Sequence, residues 1–491
     1  MNRSLILLRM KMYGLTALAV GSMMLCSCAK DGYDDESFTS DVTNSVLTSP
    51  TGDSIKVSAS TDGSKYLITW PVVMGAGGYT VSLYDTSNPE NPIVKDSLID
   101  GCSVTVPREE DINYKLILTT KGNTKYNNTD AAEATVTYFS SFTPTYKAIP
   151  DGTDLYTYFT ANPVPTDTTL NYDLTAGGSY TCSGPLSFGS STVTLRSSSK
   201  SNRAKVQFTA ADAGFVLSNG FTAKYINFDC SQSTVGFISM STAPSIKPTV
   251  VNAWSTDYNF YVVANPISVM NCNIDGLNSF FFWDSKTAVW LPTSMVVKNC
   301  LVHCTSSDSQ NLQSGAYFWT NKGGGYIQNL SITNSTFYNT GSLEAKYFVQ
   351  YGGFGQSQTK AVGWLTNIIT YDHDTFYNMC AAGQWGNYNG IAGKGTSYWV
   401  MTNSIFYNCS SGTTARRFLA GKQNQSTATF NYNTYEKSDG TFEAPAGYDN
   451  SGTQIEEDPG FKDAANGDFT ISTSSKQYKL GTGDPRWISA E

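Results

Sequence analysis

Apolar positions in the middle of this chain fall into short runs of two-residue alternation, broken by Gly, Ser and Asn. Examples are Thr192-Val-Thr-Leu, Lys205-Val-Gln-Phe, Gly214-Phe-Val-Leu and Lys224-Tyr-Ile-Asn-Phe. That alternation predicts strands with one buried and one exposed face. A longer rhythm lies on top of it. Asn-x-x-apolar recurs as Asn271-Cys-Asn-Ile274, Asn299-Cys-Leu-Val302, Asn334-Ser-Thr-Phe337 and Asn403-Ser-Ile-Phe406, with His373-Asp-Thr-Phe376 filling a gap and Tyr225-Ile-Asn-Phe228 as an earlier copy. With Tyr435 the apolar anchors stand at 228, 274, 302, 337, 376, 406 and 435. Later steps of roughly thirty to forty residues, with almost no helical patterning, signal a stacked repeat. In a β-rich chain that stack is a right-handed parallel β-helix, expected over residues 170–435.

Other stretches pattern differently. Residues 50–140 carry short alternating strands around Ser54–Ser58, Tyr66–Trp70, Tyr79–Tyr84, Ser103–Val106 and Tyr114–Thr119, at the spacing of a small antiparallel sandwich. Residues 141–169 hold Pro144, Pro150, Pro163 and Pro165 and read as a linker or lead-in to the stack. Residues 436–491 are expected to cap it, because a solenoid must cover its last open coil. At the other end, Arg3, Arg9 and Lys11 precede an apolar run from Tyr13 to Met24 that is too short for a stop-transfer helix. Residues 1–28 therefore read as a targeting segment and 29–49 as a polar, flexible tether. The fold class is thus all-β, a sandwich followed by a parallel β-helix.

Only 15% of residues are charged, against about a quarter in an ordinary globular protein. The net charge of −8 argues against nucleic acid or an anionic membrane surface as partner. Eight cysteines follow Cys28, with no Cys-x-x-Cys pair and only two histidines in the chain, so no metal site is expected. Cys272 and Cys300 occupy the same place in successive repeats. Coils about 4.8 Å apart put them within disulfide reach, and a stack of free thiols is the preferred expectation.

Several of these segments resemble known ones. Leu25-Cys26-Ser27-Cys28 resembles a bacterial lipobox, which implies acylation at Cys28, and the acids Asp31, Asp34, Asp35 and Glu36 resemble a surface-export signal of Bacteroidetes lipoproteins. Trp70 and the Gly-rich run up to Tyr79 resemble a fibronectin type III module, which implies core and corner roles for that Trp and Tyr. With the Asn-x-x-Phe-Tyr-Asn coils and the ending Asp458-Pro-Gly-Phe461, Gly467-Asp-Phe469, Gly483-Asp-Pro-Arg-Trp487, the chain resembles Bacteroidetes surface lipoproteins of pectate-lyase-like β-helix fold, known mostly as domains of unknown function in polysaccharide-utilisation systems. The resemblance implies an outer-membrane protein facing the exterior, held to the membrane by its lipid alone and working with glycan-import proteins.

Catalytic signatures are sparse. The aspartate set, Gly-His-Gly and Arg-Ile-Lys by which polygalacturonases resemble one another are missing. A calcium-dependent lyase needs several carboxylates around the metal and a basic residue, so calcium is expected only if the protein is a lyase. The coil acids are Asp257, Asp275, Asp284, Asp308, Glu344, Asp372 and Asp374, and only Asp372 and Asp374, flanking His373, are close in sequence. In a strand the two carboxyls share a face. Asp372, His373 and Asp374 are therefore the candidate catalytic group. The competing reading makes His373 a substitute for the repeat's corner asparagine.

A second set of segments supplies a candidate binding face. Aligning Phe282-Trp-Asp-Ser-Lys286, Phe318-Trp-Thr-Asn-Lys322, Phe348-Val-Gln-Tyr-Gly352, Gly390-Ile-Ala-Gly-Lys394 and Phe418-Leu-Ala-Gly-Lys422 places Lys286, Lys322, Lys394 and Lys422 in one column. Residues 250–425 carry nine Lys and Arg against seven acids, a local +2. Trp319, Tyr351, Trp385 and Tyr398 are candidate sugar platforms, and Arg416 and Arg417 candidate carboxylate clamps. The expected function is cofactor-free, non-catalytic capture of an acidic, pectin-like extracellular polysaccharide. The alternatives are a β-helix polysaccharide lyase or glycoside hydrolase, and a structural adhesin or stalk.

Overall fold

The computed structural model describes residues 42–488 apart from 61–64, 254–255, 307–309, 321–324, 353–363, 365, 389–396, 421–426 and 445–446. Cys28 lies outside the described residues. The chain divides into two compact units between Thr143 and Pro144.

In the first unit, strands Lys56–Ala59, Lys65–Thr69 and Ser103–Pro107 form one antiparallel sheet, and Val94–Ile99, Ala76–Asp85, Asn113–Gly122 and Thr135–Ser140 form another. Ile68, Trp70, Tyr79, Val81, Leu83, Val106, Tyr114 and Leu116 from the two sheets bury one core. Trp70 packs edge-on to Tyr79 at 5.4 Å. Two tyrosine hydroxyls pin the turns before their strands: that of Tyr79 accepts from Val73 N at 2.8 Å, and that of Tyr114 from Glu109 N at 2.9 Å.

The second unit is a parallel β-helix. Among the described residues it has parallel sheets of ten, nine and seven strands, here sheets A, B and C. Each coil visits them in turn: Thr192–Ser197 in A leads to Ala204–Phe208 in B, Gly214–Leu217 in C, and back to Phe221–Lys224 in A. Sheet A begins with Lys147–Ile149, which pairs in parallel with Thr169–Leu174. Every anchor predicted from sequence lies in sheet B in unbroken register, 228 against 274, 302, 337, 376, 406 and 435. Their side chains stack inside the coils: Phe376 and Phe406 lie 5.1 Å apart at 12°, and Phe406 and Tyr435 5.6 Å apart at 19°. Thr249–Ala253 and Thr256–Val263 add an antiparallel hairpin between coils, paired onward to Val289–Pro292.

The repeating asparagine has a backbone cause. Between sheets A and B the chain turns through one left-handed residue: Tyr225, Asn271, Asn299, Asn334, His373, Asn403 and Tyr432 all have φ between 48° and 58°. Asn tolerates this region best among non-glycine residues. Each corner N–H up to Asn403 then donates to the end of the next coil's sheet A strand, as Asn271 N to Lys298 O (2.8 Å), Asn299 N to Thr333 O (3.0 Å) and Asn334 N to Asp372 O (3.0 Å), while Tyr432 N donates to Thr453 Oγ1 (2.9 Å).

The residue after each corner points inward and builds a second ladder. Cys300 N donates to Ser335 Oγ (3.1 Å), Ser335 N to Asp374 Oδ1 (2.9 Å), Asp374 N to Ser404 Oγ (3.1 Å), and Ser404 N to Asn433 Oδ1 (3.1 Å). Cys272 and Cys300 stand in this column as buried free thiols.

Residues after Tyr435 do two jobs. Glu443 N and Ile455 N donate to Tyr435 O and Asn433 O, covering the last coil. The chain then runs back down the outside of sheet B. Gln477 Nε2 donates to Thr434 Oγ1, Gly483 N to Asn403 O, and Asp484 N to Thr375 Oγ1. Thr336 Oγ1 donates to Asp484 Oδ2, and Trp487 Nε1 donates to Thr336 Oγ1.

Asp374 accepts two buried N–H groups, from Ser335 and Asp372. Asp374→Asn keeps one acceptor oxygen, and the structure predicts a melting temperature close to that of the parent. Asp374→Leu leaves both donors unpaired, at about 1–3 kcal/mol each, and is expected to lower the calorimetric melting temperature clearly. Equal melting temperatures for the two variants would refute the ladder's structural role.

Candidate functional site

The outer face of sheet B carries the candidate site. Outward side chains one residue beyond each anchor line up as Thr181, Gln207, Asp229 and Asp275 and, past a register shift between Ile274 and Leu277, as His303, Tyr338, Tyr377, Tyr407 and Glu436. A parallel column holds Ser179, Lys205, Asn227, Asn273, Leu301, Thr336 and Thr375. The returning C-terminal segment covers the later coils: Phe469 packs on Tyr338 at 5.2 Å and on Tyr377 at 5.4 Å. The earlier coils stay open. A groove of about 470 Å³ runs there, lined by Gly152, Ser179, Thr181, Lys205, Gln207 and Asp229 among others.

The groove's polar groups are tied to one another. Asp229 Oδ1 accepts from Ser231 N (3.0 Å) and Oγ (2.6 Å), and its Oδ2 from Gln207 Nε2 (3.3 Å). Arg203 Nη1 donates to Asn273 Oδ1 at 3.1 Å. Farther along, His303 Nδ1 lies 2.7 Å from Asp275 Oδ1 and its Nε2 2.7 Å from Thr340 Oγ1. The imidazole lies flat on Tyr338, centroids 4.3 Å apart at 3°. Burial, assisted by the Asp275 charge, pushes the Tyr338 phenol up to about 12, so it is neutral at physiological pH. Among the described residues, no three His, Cys, Asp or Glu side chains are grouped to hold a metal ion.

The Asp372, His373 and Asp374 group does not converge. The left-handed turn at His373 ends the strand, so the two carboxyls part instead of sharing a face. Asp374 is fully buried in the corner ladder, and burial pushes its carboxyl well above the usual range. Asp372 is half-buried on the outside, 3.0 Å from His373 Nδ1. Burial pushes its carboxyl up, but hydrogen bonds from Thr402, Asn403 and His373 outweigh that and hold it below its ordinary value. His373 fills an asparagine corner.

The expected binding residues scatter. Tyr351 and Trp385 are 1% and 0% exposed, packed inside the coils, and cannot meet a surface ligand. Trp319 is half-buried on sheet C, stacked on Trp283 at 6.2 Å, with Lys286 exposed beyond the Trp283 strand. Tyr398 is exposed, but on sheet A. Arg416 is exposed and Arg417 half-buried in the short helix Thr414–Phe418. Lys322, Lys394 and Lys422 lie outside the described residues. The alignment behind the lysine column also slips: Phe318 pairs with Val349, not Phe348, and the next sheet C strand is Gln384–Asn387, not the segment around Gly390. Phe418 sits in the helix and not in a strand.

Three family models match the chain, each described as a domain of unknown function: DUF4992 over residues 1–177, DUF4957 over 178–340 and DUF5123 over 369–487. No curated protein matches. Among solved structures, pectate lyase PelI from Erwinia chrysanthemi in complex with tetragalacturonic acid matches at 12% identity and a TM-score of 0.18, over 67% of this chain and 84% of that one. Among the described residues, no helix is long and apolar enough to cross a membrane.

The C-terminal segment concentrates carboxyls raised by burial. Asp484 is pushed up to about 6, and Glu436 and Glu443 to about 7. Because their folded values lie above the ordinary ones of 3.8 and 4.5, their stabilising share is complete at lower pH and is lost as pH rises through 6–7. Hydrogen exchange of residues 457–487, corrected for intrinsic rates, should show more protection at pH 5 than at pH 8. Equal protection would contradict this.

Proposed function

We propose that this protein is a glycan-binding β-helix that holds an extended polysaccharide along the open half of sheet B. What carries the reading is the register of that face. Gln207, Asn227, Asp229, Asn273 and Asp275 come from successive coils about 4.8 Å apart, close to the repeat of one sugar in an extended chain. Amides and carboxylates bond hydroxyls, while Lys205 and Arg203 add the positive charge that an acidic, pectin-like polymer needs. No cofactor enters this reading. A further part of the proposal is that Cys28 carries a lipid, that the chain stands on the outer surface of the outer membrane, and that it passes its glycan to import proteins. The first unit then serves as a fibronectin type III-like spacer, supported by its three- and four-stranded sheets and its turn-pinning Tyr79 and Tyr114. The connections of the stack are read as right-handed, the usual hand for parallel crossovers.

Affinity electrophoresis tests the reading. Polygalacturonate, neutral galactan and xylan are run in turn, and polygalacturonate is expected to retard the protein, less so at high salt. Gln207→Ala with Asn227→Ala removes two donors, each worth about 1 kcal/mol, so affinity should fall roughly tenfold or more. Trp319→Ala alters the sheet C shelf instead. Loss with Trp319→Ala and not with the groove variant would move the binding face to sheet C and overturn the groove.

A further inference from the structure

The geometry points to a covalent catalytic site on the outer face of sheet B, beyond the groove: Asp275, His303 and Thr340 form a carboxylate–imidazole–hydroxyl chain that removes acyl groups esterified to the hydroxyls of the bound polysaccharide. The choice of substrate rests on the groove binding a glycan; the chain of contacts does not.

The contacts are directional. A carboxylate only accepts, so the 2.7 Å bond to Asp275 places the proton on His303 Nδ1 and leaves the Nε2 lone pair to accept from Thr340 Oγ1–H, also at 2.7 Å. A hydroxyl held by a base, with the base oriented by a third group, is the signature of an activated nucleophile. The ring cannot swing easily. One face lies on Tyr338 at 4.3 Å and 3°, and Tyr338 is itself backed by Phe469. Thr340 is exposed at the turn after Thr336–Asn339, where a ligand can reach it.

A second, independent feature aims the acid. The strand Asn273–Leu277 carries an irregularity absent from its neighbours: its register with Leu301–Cys304 shifts between Ile274 and Leu277. Gly276 makes the bulge at φ 72°, and a Cβ there would meet Ser231 N at 2.8 Å. Bulges of this kind re-aim side chains beside functional sites. Here the re-aimed side chain is Asp275, adjacent to the bulge and in contact with His303.

The reaction balances with water as the only co-reactant. Thr340 Oγ attacks the ester carbonyl as its proton passes to His303 Nε2. The bond from the acyl carbon to the sugar oxygen breaks, and that oxygen takes the proton from Nε2, leaving acyl-threonine and a free sugar hydroxyl. Water then attacks the acyl carbon, again losing a proton to Nε2. The threonine oxygen leaves, regains that proton, and the carboxylic acid departs. Asp275 holds the Nδ1 proton throughout. An ester suits this apparatus because its leaving oxygen needs one proton, which Nε2 has just received.

The full chain is assayed on acetylated pectin and on p-nitrophenyl acetate, following acetate and p-nitrophenol. Wild type is expected to turn over both and to show an acetyl adduct on Thr340 by peptide mass spectrometry. Thr340→Ser should keep activity, whereas Thr340→Val and His303→Gln should lose about a hundredfold or more at a melting temperature near that of wild type. Wild type no faster than buffer on either ester, or Thr340→Val as active as wild type, overturns the site. Retention of wild type on pectin, measured in parallel, keeps the two readings apart. Retention without turnover removes catalysis alone, and turnover without retention removes the glycan groove alone.

Discussion

The stack depends on one backbone constraint, the single left-handed residue between sheets A and B. From Tyr225 to Tyr432 it turns each coil at the same place, and up to Asn403 its N–H ties that turn to the next coil. An L-residue pays a conformational cost of roughly 1–2 kcal/mol to enter this region, least for Asn. The tie and the inward ladder that follows it offset that cost. Because the corner recurs from Tyr225 to Tyr432, the anchors that follow it keep their register, and the outer face of sheet B stays ordered on both sides of the Gly276 bulge. A row of functional side chains is possible there for that reason.

This explains what the sequence could reveal and what it could not. The corner asparagines and the apolar anchors are visible because one backbone requirement recurs with one residue type, and all seven anchors are in register. The groove column was legible by the same motif, since Asp229, Asp275 and His303 each follow an anchor directly. Comparing anchors alone hides it, as does searching for acids adjacent in the chain: Asp275 and His303 are a full coil apart yet touch. The Asp372–Asp374 pair misled because alternation assumes an unbroken strand, and the corner at His373 breaks it.

Sheet C was misread for the opposite reason. No fixed corner sets its register, and the loops that follow its strands vary in length, so an alignment by residue type slid by one position at Phe348 and by several at Gly390. Composition also cannot say which way an aromatic faces. Trp385 lies 4.4 Å from Phe348 at 9° inside the coil, whereas Trp319 lies half-exposed outside it.

The backward course of the C-terminal segment alters how the solenoid holds together mechanically. A stack in which each layer touches only its neighbours can unzip from its free end, one layer at a time. Here a brace leaves the terminal layer and fastens to Thr375 and Thr336, two and three layers in, through Asp484 and Trp487. Peeling the last layer therefore means releasing interior ones as well, and the far end of the stack behaves as one cooperative block instead of a fraying tip.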